Sequence, residues 1–249
     1  LTELEPNCAG IEAIHVPSTG IVSYAAVCEV LSHQIETAGG SIRYETNVLG
    51  IEDSEQGARI STSAGEIIAG LIVNCAGLRC DQVAEMVGAS DGNRIVPFRG
   101  EYYELVPERR DLVNGLIYPV PDPSFPFLGV HLTRMIDGAV HAGPNAVLAL
   151  DREGYRWRDV SASQVFEHLA NRGLWKLARK YWRTGAGEVW RSLSKQAFVR
   201  AVQRLVPDIR AQDLEASPAG VRAQAMDADG QLLDDFAITQ ARNLSLIHI

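Results

Sequence analysis

The segment from Phe127 to Asn145, FLGVHLTRMIDGAVHAGPN, has the pattern of two strands joined by a turn. Polar and apolar residues alternate on both sides of Asp137-Gly138, a dipeptide that favours a two-residue hairpin turn. Gly143-Pro144 then interrupts the second strand. Because prolines are frequent around this hairpin, the segment predicts an antiparallel sheet rather than a buried parallel one.

The hairpin carries two histidines whose relative placement depends on the turn. A two-residue turn pairs Arg134 with His141 and puts His131 and His141 on opposite faces, whereas a bulged turn reverses this parity. The side chains that alternate with His131 are apolar: Leu128, Val130 and Leu132. His131 is therefore predicted to leave the apolar face, which suits the wall of a cavity.

The neighbouring sequence completes a second domain, predicted over residues 95–218. In the strand Arg99–Leu105, a period of two puts one set of side chains on a common face: Arg99, Glu101, Tyr103 and Leu105. Residues 161–207 are predicted to be helical, with a break at Thr184–Gly187. The last of these helices is predicted to bury one stripe: Trp190, Leu193, Ala197, Ala201 and Leu205.

Residues 1–94 have a different pattern. Apolar residues at helical spacing predict a helix over 23–38 that ends at Gly39-Gly40. A strand at 41–45 and a hairpin around Ser63-Ala64-Gly65 follow. The run Leu71–Cys75 predicts a strand buried on both faces, which stops at Ala76-Gly77. This order indicates a βαβ-like crossover whose glycine turn either approaches a ligand closely or is a tight turn without one.

Composition excludes several classes. The net charge of -8 and the pI near 5.3 argue against a nucleic-acid-binding protein, since such proteins need a basic surface. No apolar run approaches the roughly 20 residues that span a bilayer. The four cysteines lack Cys-x-x-Cys spacing, Cys75 and Cys80 are expected to be buried and inert, and no metal-ligand cluster is evident.

The hairpin, the Arg99–Leu105 strand and Gly220-Val221-Arg222 resemble the L-2-hydroxyglutarate oxidase/dehydrogenase family of D-amino-acid-oxidase-like flavoproteins, over residues 4–238. The resemblance implies FAD and a mixed α/β and α+β fold. A partial FAD-binding Rossmann-like domain (1–94) then precedes an antiparallel-sheet substrate domain with helices (95–218), and strands 219–238 return to the first domain. The N-terminal Gly-x-Gly-x-x-Gly turn of such proteins is absent and the tail 239–249 is atypical, so we expect a fragment that binds FAD weakly.

The resemblance also implies the cofactor contacts. The backbone of Val48 meets the adenine, while Ala76, Gly77 and Gly100 lie against the cofactor.

Oxidation of a 2-hydroxy acid needs an anchor for the carboxylate and a base for the hydroxyl proton. In the resembling family Arg222 is the anchor, and its guanidinium suits a carboxylate; taken alone, it is an ordinary exposed arginine at a strand end. Arg99 and Tyr103 are further candidate substrate contacts, and Lys195 is the candidate partner of the distal carboxylate. His131 is the candidate base, because imidazole titrates near neutral pH, although a lone strand histidine is commonly structural.

The expected function is oxidation of L-2-hydroxyglutarate, a small-molecule 2-hydroxy dicarboxylate, to 2-oxoglutarate, with electrons passing to quinone or oxygen. A glycine oxidase or glycerol-3-phosphate dehydrogenase is the alternative within the flavoenzymes, and an inactive binding or scaffold module is the alternative outside them. The expected location is the cytoplasm, with peripheral contact to the inner membrane.

Overall fold

The computed structural model describes residues 1–54, 57–90, 92–121, 129–241 and 244–248. Short 3-10 turns join some of the regular elements. The helices are α1 (Tyr24–Thr37), α2 (Cys80–Met86), α3 (Ala162–Ala170), α4 (Arg172–Lys180), α5 (Trp182–Leu193) and α6 (Lys195–Val202). The strands are β1 (Val48–Ser54), β2 (Gly57–Thr62), β3 (Gly65–Ala69), β4 (Ile72–Asn74), β5 (Arg94–Leu105), β6 (Leu116–Ile117), β7 (His131–Arg134), β8 (Val140–Leu148), β9 (Leu214–Met226), β10 (Ala237–Ala241) and β11 (Leu244–His248).

The chain divides into two compact units. Unit 1 comprises Leu1–Gly39, Arg99–Val147 and Tyr181–Gly220, and unit 2 comprises Gly40–Phe98, Leu148–Lys180 and Val221–Ile249. The limits between the units lie at 39/40, 98/99, 147/148, 180/181 and 220/221. The division into domains at residues 95 and 219 stays a prediction.

Unit 1 is built on a five-stranded sheet with the order β6-β7-β8-β5-β9. One face of this sheet forms the main hydrophobic core together with α6. The sheet contributes Leu105, Leu132, Val140 and Ala142, Val130 precedes β7, and the helix contributes Phe198, Val199 and Val202. The alternation of apolar residues along β7 and β8 thus places their even-numbered residues against α6, as the period of a strand requires.

Of the two turns that the sequence allows between β7 and β8, the structure has the bulged one. Thr133 pairs with His141 and Arg134 pairs with Val140. The Met135 amide donates to the Ala139 carbonyl at 2.7 Å, which leaves a three-residue loop whose last residue has a φ of 85°. The Arg134–His141 pair expected of a two-residue turn is therefore not formed, because the glycine takes up a left-handed bulge position.

This register places His131 and His141 on the same face of the sheet, opposite Leu132 and Ala142. The two histidines thus have the parity expected of a bulged turn, and the prediction that His131 leaves the apolar face is confirmed. The start of the predicted strand, at 127–128, lies outside the described residues.

The predicted helical region is confirmed, but two of its details are wrong. Helix α5 continues through Thr184–Gly187, since a glycine in a helix costs only about 1 kcal/mol. The break comes instead at Ser194, whose side chain accepts from the Ala197 amide at 3.3 Å and caps α6. Trp190 and Leu193 are 60% and 69% exposed, so the predicted buried stripe exists only within α6.

Unit 2 contains two three-stranded sheets, with the orders β1-β2-β3 and β10-β11-β4. The β2–β3 hairpin is confirmed, and β11 runs parallel to β4. The predicted strand at 41–45 is wrong, since residues 41–43 are irregular and Tyr44-Glu45 lie in a turn. The prediction that the β4 segment is buried on both faces is wrong, since Leu71 and Val73 are 66% and 52% exposed and β4 lies at the edge of its sheet among the described residues.

Helix α1 confirms the sequence prediction at both ends. The Ser23 side chain accepts from the Ala26 amide, and Gly39 has a φ of 83° after the last turn. In the part of the chain that the structure describes, no helix has the length and hydrophobicity needed to cross a membrane.

Candidate active site

His131 begins β7 in unit 1, and its ring is half-buried. Its Nδ1 lies 3.0 Å from the carbonyl oxygen of Gly129. A carbonyl only accepts, so Nδ1 carries the proton of the neutral ring and Nε2 keeps a lone pair. Burial lowers the pKa of His131, against a smaller opposing effect of the bond to Gly129. The ring is thus neutral near pH 7, with Nε2 able to take up a proton.

An aromatic ring holds His131 in place. Tyr118 stacks on the imidazole with ring centroids 4.0 Å apart and an interplanar angle of 16°. The Tyr118 hydroxyl lies 3.4 Å from Oγ1 of Thr133, the next residue of β7 on the same face. The stacking and the bond to Gly129 together restrict rotation of the ring.

The same face carries a second titratable group further along the sheet. His141 Nε2 lies 3.8 Å from Oε2 of Glu104, and Arg110 Nη2 donates to Glu104 Oε1 at 2.5 Å. The rings of Tyr102 and His141 have centroids 6.4 Å apart. We call this surface, formed by His131, Thr133, His141, Tyr102 and Glu104, the histidine face.

Two glycines allow β5 and β8 to approach each other closely. A Cβ at Gly143, which has a φ of 151°, would lie 2.6 Å from the Tyr102 ring and 2.8 Å from the Glu101 carbonyl oxygen. A Cβ at Gly100 would lie 3.1 Å from Cβ of Pro144. Packing within unit 1 therefore explains Gly100 without a ligand, and its contact with a cofactor stays a prediction.

Arg99 lies on the opposite face of β5 from the histidine face and is 1% exposed. Its guanidinium donates to Oε1 of Glu101 from Nη2 at 3.0 Å. Asn145 connects this pair to α5, because its Nδ2 lies 3.4 Å from Oε2 of Glu101 and 2.9 Å from the Glu188 carbonyl oxygen.

Two residues of α5 complete this buried network. Glu188 accepts from the Ala146 amide at 3.1 Å and from Arg191, whose Nε also donates to Asn145 at 3.2 Å. Burial raises the pKa of Glu188, while Arg191 and the Ala146 amide oppose that rise. The positive charges of Arg99 and Arg191 are matched by the carboxylates of Glu101 and Glu188. The network links β5, β8 and α5.

Tyr103 and Lys195 meet on the helix side of the sheet. The Tyr103 ring lies 4.7 Å from that of Phe198, and burial raises the pKa of its hydroxyl. Lys195 Nζ donates to the Leu214 carbonyl at 2.6 Å and lies 5.6 Å from the Tyr103 ring centroid. The structure thus brings Tyr103 and Lys195 together, and it places both of them, like Arg99, away from the histidine face.

In unit 2 the predicted glycine turn follows β4. The buried Asn74 side chain donates to the Cys80 carbonyl at 2.8 Å and accepts from the Ala76 amide at 3.1 Å, which closes the turn. Ala76 and Gly77 are exposed at its tip. Gly77 has a φ of 52°, and no atom lies within 4 Å of where its Cβ would be, so a ligand can reach the backbone there.

The expectation for the two nearby thiols is half right. Cys80 is buried, and burial raises its pKa to about 11. Cys75 is exposed, because it lies in the turn after the edge strand β4. Among the described residues, no group of His, Cys, Asp and Glu side chains has an arrangement that could hold a metal ion.

Val48 and Arg222 are also at accessible positions of unit 2. Val48 begins β1, is 40% exposed, and among the described strands β1 pairs only with β2. The other edge of β1 therefore presents backbone groups of the kind that pair with an adenine. Arg222 is exposed and lines a cavity of about 390 Å³, together with Ala223, Gln224, Ala225, Leu233, Asp234, Asp235 and Phe236.

Sequence reasoning missed several residues of these sites. Tyr118 and Glu188 had no local signal, because their partners come from other elements. Arg152 was also missed; it is 6% exposed and forms an ion pair with Asp81 at 2.6 Å. The charged residues Asp151-Arg152-Glu153, which follow the apolar end of β8, could have drawn attention to Arg152. Their spacing does not, however, predict that Arg152 pairs with Asp81.

Comparison with known proteins identifies the family. The family model described as "DAO: FAD dependent oxidoreductase" matches residues 1–248. An L-2-hydroxyglutarate dehydrogenase of Indibacter alkaliphilus is 50% identical over 250 residues, which cover 100% of this chain and 62% of the relative. One of Escherichia coli K12 is 48% identical over 237 residues, which cover 95% of this chain and 56% of the relative. The chain thus spans less than two thirds of the length of these relatives.

A solved structure shows the same fold at low identity. The L-alpha-glycerophosphate oxidase of Mycoplasma pneumoniae, dithionite-reduced and with FAD bound, superimposes with a TM-score of 0.62 and 19% identity, over 90% of this chain and 49% of that one. The prediction of a mixed α/β and α+β flavoprotein fold is confirmed. On the match of the family model, the chain belongs to the FAD-dependent oxidoreductases of the DAO family.

Proposed function

We propose that this protein oxidises L-2-hydroxyglutarate to 2-oxoglutarate with FAD as cofactor, and that His131 is the base. The observation that carries the proposal is the bond from His131 Nδ1 to the Gly129 carbonyl, which leaves Nε2 unprotonated on a half-buried ring. The names of the curated relatives support the substrate.

The reaction removes a proton from the 2-hydroxyl and a hydride from C2, so that a C=O bond replaces the C–O single bond. His131 Nε2 accepts the hydroxyl proton, and the bond to Gly129 stabilises the resulting imidazolium. FAD, when bound, supplies the acceptor of the hydride. The low pKa of His131 keeps the ring neutral, and therefore ready to act, at physiological pH.

Two regions of unit 2 fit the flavin nucleotide. The edge of β1 at Val48 offers backbone groups to the adenine, and the tip of the turn at Ala76 and Gly77 offers an open backbone. Both fit a ligand that is recognised through the main chain. We propose these three residues as cofactor contacts, with Gly100 as a fourth.

The carboxylates of the substrate need cationic partners. We propose Arg222 as the anchor of the carboxylate next to C2, because its guanidinium is exposed in a cavity. Arg99, Tyr103 and Lys195 lie on the helix side of the sheet, so we propose that they support the sheet rather than touch the substrate.

The substrate assignment is tested by anaerobic mixing of the FAD-loaded protein with single substrates. We expect L-2-hydroxyglutarate to bleach the oxidised flavin, and D-2-hydroxyglutarate, glycine and glycerol 3-phosphate to leave it unchanged. Bleaching by glycine or glycerol 3-phosphate, but not by L-2-hydroxyglutarate, would establish the alternative flavoenzymes instead. Absence of flavin binding even at saturating FAD would favour a scaffold module.

For the electron acceptor we propose quinone ahead of oxygen, in a cytoplasmic protein that contacts the inner membrane peripherally. Helix α4 supports the contact, because residues 172–180 contain no carboxylate in a chain of net charge -8. The exposed cations of this helix are Arg172, Lys176, Arg179 and Lys180, of which Lys176 is paired with Asp229. Trp175 is 57% exposed beside them, a combination that suits an anionic lipid surface.

The membrane proposal is tested by sedimentation with vesicles. We expect binding to phosphatidylglycerol vesicles, weak binding to phosphatidylcholine vesicles, and loss of binding in Arg172→Gln/Arg179→Gln/Lys180→Gln, since each cation contributes about 1 kcal/mol. The control is Arg200→Gln/Arg204→Gln, which removes two exposed cations, one in α6 and one just after it. Equal binding by both variants would refute the role of α4.

The electron acceptor is tested separately. Reduction of a quinone by the FAD-loaded protein, without stoichiometric formation of hydrogen peroxide, would identify quinone as the acceptor.

A further inference from the structure

We propose that Arg152 and Asp81 are positioning residues for FAD, because their buried ion pair holds the turn at 74–80 in the shape that receives the cofactor. This inference rests on the proposed function. It concerns two residues that touch neither the tip of the turn nor the histidine, and all of its contacts lie within unit 2.

Arg152 uses its whole guanidinium in this position. Nη1 donates to the Leu78 carbonyl and to Asp81 Oδ1, both at 2.6 Å, and Nη2 donates to Asp81 Oδ2 at 3.0 Å. The remaining donors bind α3, with Nε 3.0 Å from Gln164 Oε1 and Nη2 3.3 Å from Glu167 Oε2. The planar fork fixes Asp81 in two directions, which a single ammonium group cannot do.

Asp81, held by Arg152, in turn binds backbone amides around the turn. Its Oδ2 accepts from the Ile95 amide at 3.0 Å and its Oδ1 accepts from the Gln82 amide at 2.9 Å. Arg152 fixes the Leu78 carbonyl directly, while Asn74 fixes the Cys80 carbonyl and the Ala76 amide. Backbone groups on both sides of Gly77 are thus bound, and the open glycine is left at the tip.

The burial of the pair argues for positioning rather than stability. Arg152 and Asp81 side chains are 7% and 2% exposed, and a buried ion pair stabilises a fold little compared with apolar residues of similar size. An apolar pair, however, provides no donor for the Leu78 carbonyl. What the ion pair adds is therefore a defined path for the backbone from residue 78 to residue 82.

A neighbouring ion pair provides a matched control. Arg79 Nη2 and Glu153 Oε1 lie 2.9 Å apart and join the same two segments, two residues from Asp81 and one residue from Arg152, but their side chains are 53% and 57% exposed. Such an exposed pair contributes little, because water screens it. Removal of this pair by Glu153→Gln tests whether any link between the segments suffices.

The test compares the unaltered chain with Arg152→Lys and Glu153→Gln. We measure hydrogen exchange of the 76–80 amides, with the β2–β3 hairpin as internal reference, and the Kd for FAD by equilibrium titration per folded molecule. Arg152→Lys should speed exchange at the turn and raise the Kd about tenfold or more, as expected for loss of charged hydrogen bonds. Glu153→Gln should change neither. If Arg152→Lys does not fold, Arg152→Met/Asp81→Asn, which leaves no buried charge unpaired, replaces it with the same expectation.

The outcomes separate this inference from the proposed function. If the unaltered chain binds FAD, and Arg152→Lys lowers only the melting temperature while turn exchange and Kd are unchanged, the positioning role is refuted and the cofactor stands. If Glu153→Gln raises the Kd as much as Arg152→Lys, the buried geometry is refuted as the cause. If the unaltered chain binds no FAD, the proposed function fails, and this inference fails with it.

Discussion

The two faces of the five-stranded sheet in unit 1 differ in how far their polar groups are buried and paired. On the helix side, Arg99 is 1% exposed and bound to Glu101, and the network around it uses its polar groups in mutual hydrogen bonds. On the histidine face, His131 is half-buried, with one ring nitrogen bound to a carbonyl and the other carrying a lone pair. The two faces belong to the same strands, so only the alternation of side chains separates them.

This difference teaches how to distinguish structural from chemical polar groups. A charge that is fully buried must be paired, and its partners then fix its position and use up its donors. A partly buried imidazole with one satisfied nitrogen is held in orientation and still has a site for a proton. We therefore expect substitution of Arg99 on the helix side to change stability, and substitution of His131 on the histidine face to change turnover.

The largest effect is expected for His131→Gln in the FAD-loaded protein. Loss of a general base typically lowers the rate about 10²–10⁴-fold, and both kcat and kcat/KM should fall. Flavin content should stay normal, and the decrease of kcat/KM at acidic pH should disappear. Steady-state kinetics with L-2-hydroxyglutarate measure this.

The control is His141→Gln, on the same face but beside Glu104 and Arg110. It should retain most of the activity, because the proposed proton transfer does not use it. If His141 proves essential and His131 dispensable, the base is the other histidine of this face.

The second prediction concerns the helix side. Arg99→Leu removes the cation that pairs with Glu101 and should lower the free energy of unfolding by about 3 kcal/mol, the low end for a broken buried pair. Activity per folded molecule should change little. Urea unfolding and kinetics together measure this, with Arg59→Leu at an exposed ion pair as control. A raised KM with normal stability would show that Arg99 binds the substrate and would remove the distinction between the faces.

The third prediction concerns the proposed anchor. Arg222→Lys keeps the charge but loses the bidentate fork, and one charged hydrogen bond contributes about 1.5–3 kcal/mol. We expect kcat/KM for L-2-hydroxyglutarate to fall by about one to two orders of magnitude. Arg210→Lys, at an exposed position before β9, is the control. An unchanged kcat/KM in Arg222→Lys would assign the carboxylate to another cation.

The smallest expected effect is a pH dependence of stability. The folded pKa of His131 lies below its ordinary value of 6.5, so the unfolded chain binds more protons between the two values. The stability that the neutral ring contributes is complete above pH 6.5 and is lost as the pH falls through the folded pKa. Unfolding experiments on either side of this window should show a steeper pH dependence for the unaltered chain than for His131→Gln. Equal slopes would mean that burial does not shift this histidine.

The raised pKa of Glu188 acts in the opposite sense. Its folded state favours the protonated carboxyl, so its contribution weakens as the pH rises from the ordinary value of 4.5 through the folded one. Both proteins of the preceding comparison contain Glu188. Their difference therefore reports on His131 alone.

Local chemistry determined several elements from the sequence alone. Ser23 and Gly39 end α1 through a side-chain cap and a left-handed glycine, both of which depend only on neighbouring residues. The β2–β3 hairpin and the outward orientation of His131 follow from a period of two in the same way. The family was also recognisable, because its short motifs are contiguous in the chain.

Only the tertiary structure decided the turn at 136–138, the buried state of Arg99 and the partnership of Arg152 with Asp81. Asp-Gly is compatible with both a two-residue turn and a bulged loop, and pairing along β7 and β8 selected the loop. The Arg152–Asp81 pair joins residues 71 positions apart. The period of a strand or helix constrains only near neighbours in the chain, whereas burial and ion pairing depend on which distant segments the packed core brings together.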